Sequence, residues 1–357
     1  MVSENRLAPL PLIERLPRLT AELPWIRLGE WPTKVAYLPE LSRTIGTDIW
    51  IKQDNESNAV YGGNKVRKLE ILLAAAKEKN CRSLLTVGGI GSNNTIACAI
   101  FGNKLGLRTH AVVLPQPITP EVRSKIHLAN KLGVNLIPCS NKYMIFHRTR
   151  QTFRLADQPY FIPPGSSSPL GTLGFVAAVL ELKQQIETGL LPEPDAIFVP
   201  LGSGGTMAGL LVGCSLAGLR SQIIGVRVVE KILCNGALVQ LLAWRTRRLI
   251  KRFGEPIGRH NTRMTVINTH FGGKYGRPTP EGEAAINLAY ETQALKLDST
   301  YTGKTLAALH EFCKTQTGLR CVLFWNTYNS QPTEALGNTA DHVPLPSEIQ
   351  NWLSIPS

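Results

Sequence analysis

Short apolar runs alternate with longer amphipathic segments along most of the chain. The runs have the length of buried strands, and the segments between them repeat apolar positions at helical spacings of three and four. Several predicted helices end at a glycine, a common helix terminator. Strands are predicted at 48–54, 82–89, 108–115, 134–139, 195–201, 222–229 and 320–326, and helices at 66–79, 92–106, 120–133, 171–187, 207–219, 280–295 and 302–316. This alternation predicts βαβ units and an α/β fold with mainly parallel, twisted sheets flanked by helices.

The length of the chain predicts two lobes. Its 357 residues exceed the roughly 250–300 residues at which a single hydrophobic core stops growing. We expect a small α/β lobe at 66–170 and a large cofactor-binding lobe made of 1–65 and 171–357. The proline-rich residues 1–35 are expected to be extended, and residues 230–270 to be less regular than the rest.

The composition is that of a globular protein with a basic charge balance. Hydrophobic residues make up 43% of the chain and charged residues 18%, which favours a sizeable core over disorder. The net charge of +13 is compatible with nucleic-acid binding, but the cations form neither a tail nor a stripe. The densest basic run, 245–263, is interpreted as a solvated helix end and loop, so we expect no nucleic-acid partner.

The cysteine pattern and the apolar runs indicate a cytoplasmic protein. Seven cysteines are an odd number, and they form neither a CxxC pair nor a zinc-binding spacing, so we expect reduced thiols and no metal. The N-terminal residues lack the apolar core of a signal peptide. No apolar run approaches the roughly 20 residues that cross a membrane, so we expect no membrane partner.

Three cations stand at the beginning of the helix predicted at 66–79. In the stretch YGGNKVRKLE, Lys65, Arg67 and Lys68 follow two glycines. The positive end of the helix dipole lies here, and each cation is therefore unfavourable by about a few tenths of a kcal/mol. We expect anions near this helix start.

A second glycine-rich stretch follows the strand at 195–201. In VPLGSGGTMAG, this strand leads into a helix of small residues through Gly202, Ser203, Gly204, Gly205 and Thr206. Backbone N–H groups at such a helix start bind phosphate. The stretch has neither the GK[ST] of a Walker loop nor the GxGxxG spacing of a dinucleotide fold. A tight strand-to-helix turn without a ligand explains it equally well.

A third stretch, TVGGIGSNNT, places Ser92, Asn93 and Asn94 at the start of a helix. Serine and asparagine are ordinary N-caps, and capping explains one of the three residues. Three small polar residues behind glycines also fit a pocket for a carboxylate or a ring oxygen. Both interpretations stay open from the residues alone.

Together, the three stretches have the layout of a pyridoxal 5'-phosphate site. A lysine amine forms a Schiff base with the aldehyde of that cofactor, and the protein must hold its phosphate. The motifs GGNKVRKLE, GGIGSNNT, IPPGSSSPLGTLGF, LGSGGTMAG, YGRPTPEG and YTGKT occur in this order. The chain thereby resembles the D-cysteine desulfhydrase and 1-aminocyclopropane-1-carboxylate deaminase group of the tryptophan-synthase-β-like, fold type II enzymes. The resemblance implies a cofactor in the cleft between two lobes, and a homodimer.

The resemblance also implies which residues hold the cofactor. Lys65 would bind its aldehyde and would also move the substrate proton. Lys68 would reach the phosphate, and the stretch Gly202 to Thr206 would hold that phosphate through backbone amides and a hydroxyl. Asn93 would contact the 3-oxygen of the pyridine ring.

Substrate binding and catalysis are assigned by the same resemblance. Ser92, together with Asn93, Asn94 and the neighbouring amides, would hold the carboxylate of a small amino-acid substrate. Tyr275 and Tyr301 match the two active-site tyrosines of the family.

Thr302 indicates the type of reaction. The resemblance places this residue at the pyridine nitrogen, where deaminases of the family carry glutamate and desulfhydrases carry threonine. A hydroxyl bonds a largely neutral ring nitrogen, and a neutral ring stabilises a carbanion less well. Thr302 therefore favours β-elimination over cyclopropane ring opening, although it also fits a helix N-cap.

Several positions depart from the family pattern and leave the substrate open. Gly91 stands where glutamine is usual, and the last strand ends in LFWNTYNSQ (323–331) instead of a His-Thr-Gly-Gly loop. Bulky Trp325 and Tyr328 are expected to reshape the pocket, and 236–263 looks like added material. D-Cysteine is the first expectation for the substrate. The alternatives are ring opening of 1-aminocyclopropane-1-carboxylate, a cofactor-binding protein without catalysis, and a basic nucleic-acid-binding protein.

Overall fold

The computed structural model describes residues 9–257, 262–333, 336 and 344–354. The strands in this part of the chain are β1 (Val35–Tyr37), β2 (Asp48–Gln53), β3 (Ser83–Gly89), β4 (Arg108–Leu114), β5 (Asn135–Pro138), β6 (Pro159–Ile162), β7 (Ala196–Leu201), β8 (Gln222–Arg227), β9 (Met264–Ile267) and β10 (Cys321–Asn326). The helices are α1 (Leu10–Arg15), α2 (Pro17–Glu22), α3 (Pro39–Ile45), α4 (Lys65–Glu78), α5 (Asn93–Lys104), α6 (Pro120–Lys131), α7 (Ile145–Leu155), α8 (Pro169–Glu187), α9 (Gly205–Ala217), α10 (Gly236–Arg252), α11 (Pro280–Gln293), α12 (Thr302–Thr315) and α13 (Ser347–Ser354).

The chain separates into two compact units, each with its own sheet. The first unit contains the residues up to Ile71 and Ser168–Gln331, and the second contains Leu72–Ser167 and the residues from Pro332 onward. The boundary falls inside α4, so Lys65 and the first turns of this helix belong to the first unit.

The first unit contains a six-stranded sheet in the order β1-β2-β10-β7-β8-β9. β1 is antiparallel to β2, and all other neighbouring pairs are parallel. Parallel strands end at one edge of the sheet, where the loops of such folds bind ligands. The loops that follow β2, β7 and β10 therefore begin at the same edge. The predicted α/β fold with mainly parallel sheets is confirmed.

This sheet has a hydrophobic core on each face. On β10, Leu323 and Trp325 belong to a core shared with α8, α9 and α10, whereas Val322 and Phe324 belong to a core shared with α3, α11 and α12. Successive strand residues point to opposite faces, which explains the alternation. Because both faces are covered, β7 and β10 are buried along their whole length and are apolar almost throughout.

Close packing of α8 against α4 fixes the position of the lysine-bearing helix start. A Cβ atom on Gly174 of α8 would lie 2.2 Å from the backbone oxygen of Arg67, so only glycine fits there. The first turn of α4 therefore rests directly on the backbone of α8.

The N-terminal region and the segment after β8 differ from the expectation. Residues 10–22 form α1 and α2 instead of an extended chain, because prolines occupy early helix positions, where no N–H donor is needed. Leu12, Leu16 and Leu19 of this region are buried in the core. The segment 230–270 contains the 17-residue helix α10, which buries an apolar stripe and leaves its arginines mostly outside.

The second unit contains a four-stranded parallel sheet in the order β5-β4-β3-β6. β3 lies in the middle of this sheet and leads into α5, which begins at Asn93. Among the described residues of both units, no helix combines the length and apolar character needed to span a membrane.

Candidate active site

The glycine loop that precedes Lys65 is held by the loop after β10. The backbone N–H of Gly62 donates to Asn329 Oδ1 (2.7 Å), and the N–H of Asn64 donates to the carbonyl of Thr327 (3.3 Å). Gly63 has a φ of +93°, and a Cβ there would lie 2.8 Å from the Thr327 oxygen, so a side chain cannot be accommodated. The divergent segment 323–331 therefore supports the lysine loop with its backbone and with one asparagine.

Asn64 links the Lys65 amine to the second glycine-rich loop. Lys65 Nζ donates to Asn64 Oδ1 (2.7 Å), and Asn64 Nδ2 donates to Thr206 Oγ1 (3.0 Å). The amine and the proposed phosphate loop are thus joined by a single side chain. Sequence reasoning missed Asn64, although its position beside the lysine was a signal.

The loop after β7 has the geometry of an anion-binding helix start. Gly204 is the N-cap of α9 with a φ of +84°, and a Cβ there would lie 3.2 Å from the sulfur of Cys234. A left-handed residue in this place turns successive N–H groups toward one point, as in phosphate-binding loops. At Gly202, a Cβ would lie 3.3 Å from the ring of Tyr301, so this tyrosine flanks the loop.

Lys68 is buried close to Lys65. Its side chain lies beside the ring of Phe175, with Nζ 5.7 Å from the ring centroid. Burial, together with the positive charge of Lys65, holds the pKa of Lys68 well below its usual value. A bound phosphate would favour the charged form of both lysines, so the electrostatics of this cluster suit an anion.

Arg67 is compensated by the protein itself. Its guanidinium is buried between the carboxylates of Asp54 (2.8 Å) and Glu181 (3.0 Å). Glu181 also pairs with the buried ammonium of Lys52. For Arg67, the anions expected near this helix start are carboxylates of the protein. The sequence contained a signal for this ion pair, because Glu181 lies inside the apolar helix predicted at 171–187, where an unpaired charge is unfavourable.

Tyr275 and Tyr301, the two predicted active-site tyrosines, lie side by side. Their hydroxyl oxygens are 2.6 Å apart, and the rings meet edge to face with centroids at 6.1 Å. Lys304 of α12 donates to the carbonyl of Phe271 (2.7 Å) and so ties the segment before Tyr275 to the helix that follows Tyr301. Burial lowers the pKa of Lys304 to about 8, although the charge of Asp298 opposes this shift.

Thr302 is the first residue of α12, and its hydroxyl is bonded to Asp298. Oγ1 donates to Asp298 Oδ1 (2.6 Å) and accepts the backbone N–H of Asp298 (2.8 Å). The Asp298 carboxylate also accepts the backbone N–H groups of Thr300, Tyr301 and Thr302. Asp298 was not predicted, and it holds the turn that carries both Tyr301 and Thr302.

In the second unit, Ser92, Asn93 and Asn94 form the start of α5. Ser92 caps this helix, because its Oγ accepts the N–H of Asn94 (3.2 Å). The buried amide of Asn94 donates to Thr86 Oγ1 (3.0 Å) and accepts from Ser166 Oγ (2.6 Å). The capping interpretation thus holds for Ser92, and substrate contacts by these three residues stay a prediction.

Trp325 lies in the hydrophobic core, and its expected effect on the pocket stays a prediction. Its ring is fully buried against Phe175, with centroids 5.8 Å apart, and Nε1 donates to Asp54 Oδ2 (2.8 Å). The next residue, Asn326, is also fully buried. The large side chain of the divergent strand end therefore belongs to the core around the Arg67 ion pairs.

One mainly parallel sheet, with helices on both faces, carries a candidate Schiff-base lysine, a glycine-rich anion loop and paired tyrosines. Together, these features define a class of cofactor enzyme. Residues 26–324 match the family described as pyridoxal-phosphate dependent enzyme, and the chain belongs to this family.

Named relatives agree with this assignment. The chain is 33% identical over 304 residues to a putative 1-aminocyclopropane-1-carboxylate deaminase of Pyrococcus horikoshii, which corresponds to 83% of this chain and 89% of the relative. It is also 33% identical over 295 residues to a D-cysteine desulfhydrase of Klebsiella pneumoniae, with 80% and 87% covered. A solved structure of an ACC deaminase homologue superposes with a TM-score of 0.77 and 28% identity, covering 98% of this chain and 99% of that one.

The residues of the first unit fit pyridoxal 5'-phosphate, the cofactor of the family. Gly204 provides a left-handed cradle at a helix start, where a side chain would meet Cys234. In this fit, Lys65 would supply an amine for the aldehyde and Lys68 a second, buried amine for the phosphate.

Proposed function

We propose that this enzyme catalyses α,β-elimination from a small amino acid, with D-cysteine as the first candidate. With cysteine and water, the products are a 2-oxo acid, ammonia and sulfide. The observation that carries the proposal is the Lys65–Asn64–Thr206 chain of hydrogen bonds, which joins the reactive amine to the anion loop. The similarity to a D-cysteine desulfhydrase supports the choice of substrate.

Lys65 is the proposed catalytic base. When bound, pyridoxal phosphate supplies an aldehyde that condenses with amines and a conjugated ring that accepts electron density from the substrate α carbon. Lys65 holds the aldehyde before substrate arrives, and its freed amine then takes the α proton.

The remaining residues bind and orient. Lys68 and the stretch Gly202–Thr206 hold the phosphate. The paired hydroxyls of Tyr275 and Tyr301 exchange a proton with the substrate in this proposal. Thr302 lies at the nitrogen end of the ring in this proposal.

The residues at the start of α5 take the substrate roles that the family resemblance gives them. Ser92 and Asn94 bind the substrate carboxylate, and Asn93 binds the ring 3-oxygen and contributes to substrate binding. We also propose a homodimer in the cytoplasm, with a cofactor-binding lobe of 1–65 and 171–357 and a small lobe of 66–170.

Ring opening of 1-aminocyclopropane-1-carboxylate is the second candidate. Relatives that carry this putative activity in their names support it. Thr302 argues against it, because a hydroxyl at the ring nitrogen leaves the ring a weaker electron acceptor than a carboxylate would.

A substrate screen of cofactor-loaded protein tests the proposal. D- and L-amino acids and 1-aminocyclopropane-1-carboxylate are added separately, and 2-oxo acid, ammonia and sulfide are measured. We expect sulfide release from a cysteine enantiomer and no product from the cyclopropane substrate. Binding of the cofactor without product from any amino acid would contradict catalysis.

Lys65→Ala provides the matched test of the lysine. The variant should lose both the visible absorbance of lysine-bound cofactor and turnover, whereas Lys77→Ala, on the same helix, should retain both. Retained turnover in Lys65→Ala would refute the assignment.

A further inference from the structure

A cavity of about 610 Å³ lies within the first unit, at the edge of the six-stranded sheet where β2 ends. Its wall is built from the segment before β1, the segment after β2, the end of α11 and the loop after β10. Among the residues that the structure describes, those lining the cavity include none that the proposed function assigns to the cofactor or the substrate. The cavity is therefore separate from the proposed cofactor site, and its volume is in the range of ligand-binding pockets, about 300–1,000 Å³.

Two carboxamides in the cavity wall each have a buried atom that lacks a hydrogen-bond partner in the described part of the chain. They are Asn55 Oδ1, an acceptor, and Gln293 Nε2, a donor. Ser330 fixes the orientation of the Asn55 amide, because its hydroxyl donates to the Asn55 carbonyl (3.2 Å) and accepts from Nδ2 (3.0 Å), so Oδ1 points away from the serine. Buried polar atoms without a partner are unfavourable and rare, and a polar molecule in this cavity would supply both partners.

Four charged side chains surround the cavity in balanced numbers. Glu30 and Glu56 are anionic, Lys34 and Lys296 are cationic, and all four are exposed. None of them forms an ion pair within the described ranges of the chain. A ligand with one sign of charge would be repelled by half of these groups, whereas a ligand with both signs finds an opposite charge for each of its ends.

The polar groups are arranged as two poles of opposite character. The acceptor pole consists of Asn55 Oδ1 and the carboxylate of Glu56, which follow β2. The donor pole consists of Gln293 Nε2 and the ammonium of Lys296, at the end of α11. An α-amino acid has an ammonium group that donates hydrogen bonds and a carboxylate that accepts them. Its two ends therefore match the two poles.

The acceptor pole is bonded to the loop that precedes Lys65. The backbone N–H of Ser330 donates to the Asn55 carbonyl (3.4 Å), and the adjoining residue, Asn329, accepts the N–H of Gly62 (2.7 Å). A Cβ on Gly62 would collide with the Asn55 carbonyl, so the two loops are in direct contact. A molecule held by Asn55 therefore acts on the backbone that positions the Lys65 amine.

We propose that this cavity binds a free α-amino acid as an effector, with the ammonium group at the acceptor pole and the carboxylate at the donor pole. The bound molecule constrains Asn55 and, through Ser330 and Asn329, the loop that precedes Lys65. The binding itself goes beyond the proposed function, and only its effect on Lys65 rests on that function. An amino acid would thereby control the enzyme from a site where it is not consumed.

Calorimetric titration of protein with a blocked catalytic site tests the binding. Pyridoxal phosphate is first fixed on Lys65 by borohydride reduction, so that an added amino acid cannot displace the lysine. We expect one molecule of glycine to bind per chain. Acetate and ethylamine, which each carry one of the two charges of glycine, should bind at least about tenfold more weakly, the value of one charge-assisted hydrogen bond.

One variant at each pole locates the bound molecule. Glu56→Gln and Gln293→Leu should each bind glycine about tenfold more weakly than the wild type, because each removes a group from one pole. The matched controls are Glu78→Gln, at the exposed end of α4, and Gln151→Leu, on the exposed helix α7, and both should bind glycine like the wild type. Because Glu56 is exposed, its substitution should not impair folding, which a urea titration checks.

The effect on the lysine loop is measured by the fluorescence of the reduced cofactor, which glycine should change in the wild type. The proposed site would be overturned if glycine did not bind to the wild type, if acetate or ethylamine bound as tightly as glycine, or if both pole variants bound glycine normally. Binding of glycine without a change in fluorescence would refute the link to Lys65. Failure of borohydride to fix the cofactor on Lys65 would instead refute the proposed function.

Discussion

Replacement of Arg67 by methionine should destabilise the protein strongly, because it leaves two buried carboxylates with one cation. In the native structure, Asp54 and Glu181 share Arg67 and Lys52, and all four side chains are buried. Breaking such a cluster by removing one partner costs about 3–5 kcal/mol.

The pKa of Glu181 provides an independent magnitude. Burial alone would raise this pKa, but the charges of Arg67 and Lys52 outweigh burial and lower it from 4.5 to about 2. A shift of this size corresponds to about 3 kcal/mol of stabilisation by the ionised form. Because the pKa of the folded state is depressed, this stabilisation is present above about pH 4.5 and is lost as the pH falls toward 2.

Urea unfolding followed by tryptophan fluorescence measures the effect, since Trp325 donates to Asp54 inside the cluster. We expect Arg67→Met to lose about 3–5 kcal/mol of unfolding free energy at pH 7 and less relative to wild type at pH 3.

The matched control is Arg82→Met. Arg82 is 69% exposed and lies 3.6 Å from Asp157, so this variant should lose at most about 1 kcal/mol. If Arg67→Met were no less stable than Arg82→Met, or if the loss did not depend on pH, the compensation argued for this helix start would be wrong.

Two further predictions concern the site. Gly204→Ala should weaken cofactor binding and lower the unfolding free energy by about 1–2 kcal/mol, because the residue has a φ of +84° and lies beside Cys234. The control is Gly218→Ala, at a residue with a φ of +67° and open space around it. This control should lose similar stability but keep its cofactor affinity, as measured by absorbance titration. Lys304 should contribute a rise in the unfolding free energy as the pH increases from about 8 toward 10.5, because it releases its proton earlier in the folded state than in the unfolded one. Lys304→Met should therefore lower the slope of unfolding free energy against pH in urea titrations; an unchanged slope would contradict the buried position of the amine.

The fold was readable from the sequence where local signals are strong. The strand at 320–326 and the helix at 302–316 appear within a residue of the predicted bounds, as Cys321–Asn326 and Thr302–Thr315. The length of an apolar run and the presence of a helix-ending glycine depend on neighbouring residues alone, so both can be identified directly from the sequence. The N-terminal helices were missed because each is only six residues long, and prolines dominate the local pattern.

The candidate site was predictable in part. Lys65 and the loop from Gly202 to Thr206 were identified from glycine spacing and from a resemblance carried by several motifs. Asn64 and Asp298 were not identified, because a single asparagine or aspartate has many ordinary roles that the surrounding sequence does not distinguish.

The sequence by itself determined the alternation of strands and helices, the glycine-rich loops and the presence of a lysine beside one of them. Only the tertiary structure decided which anions pair with which cations. Asp54 and Glu181 lie 13 and 114 residues from Arg67, and Glu181 reaches it only when α8 packs against α4. Charge pairing is a property of distance in space, and the order of residues along the chain does not specify that distance.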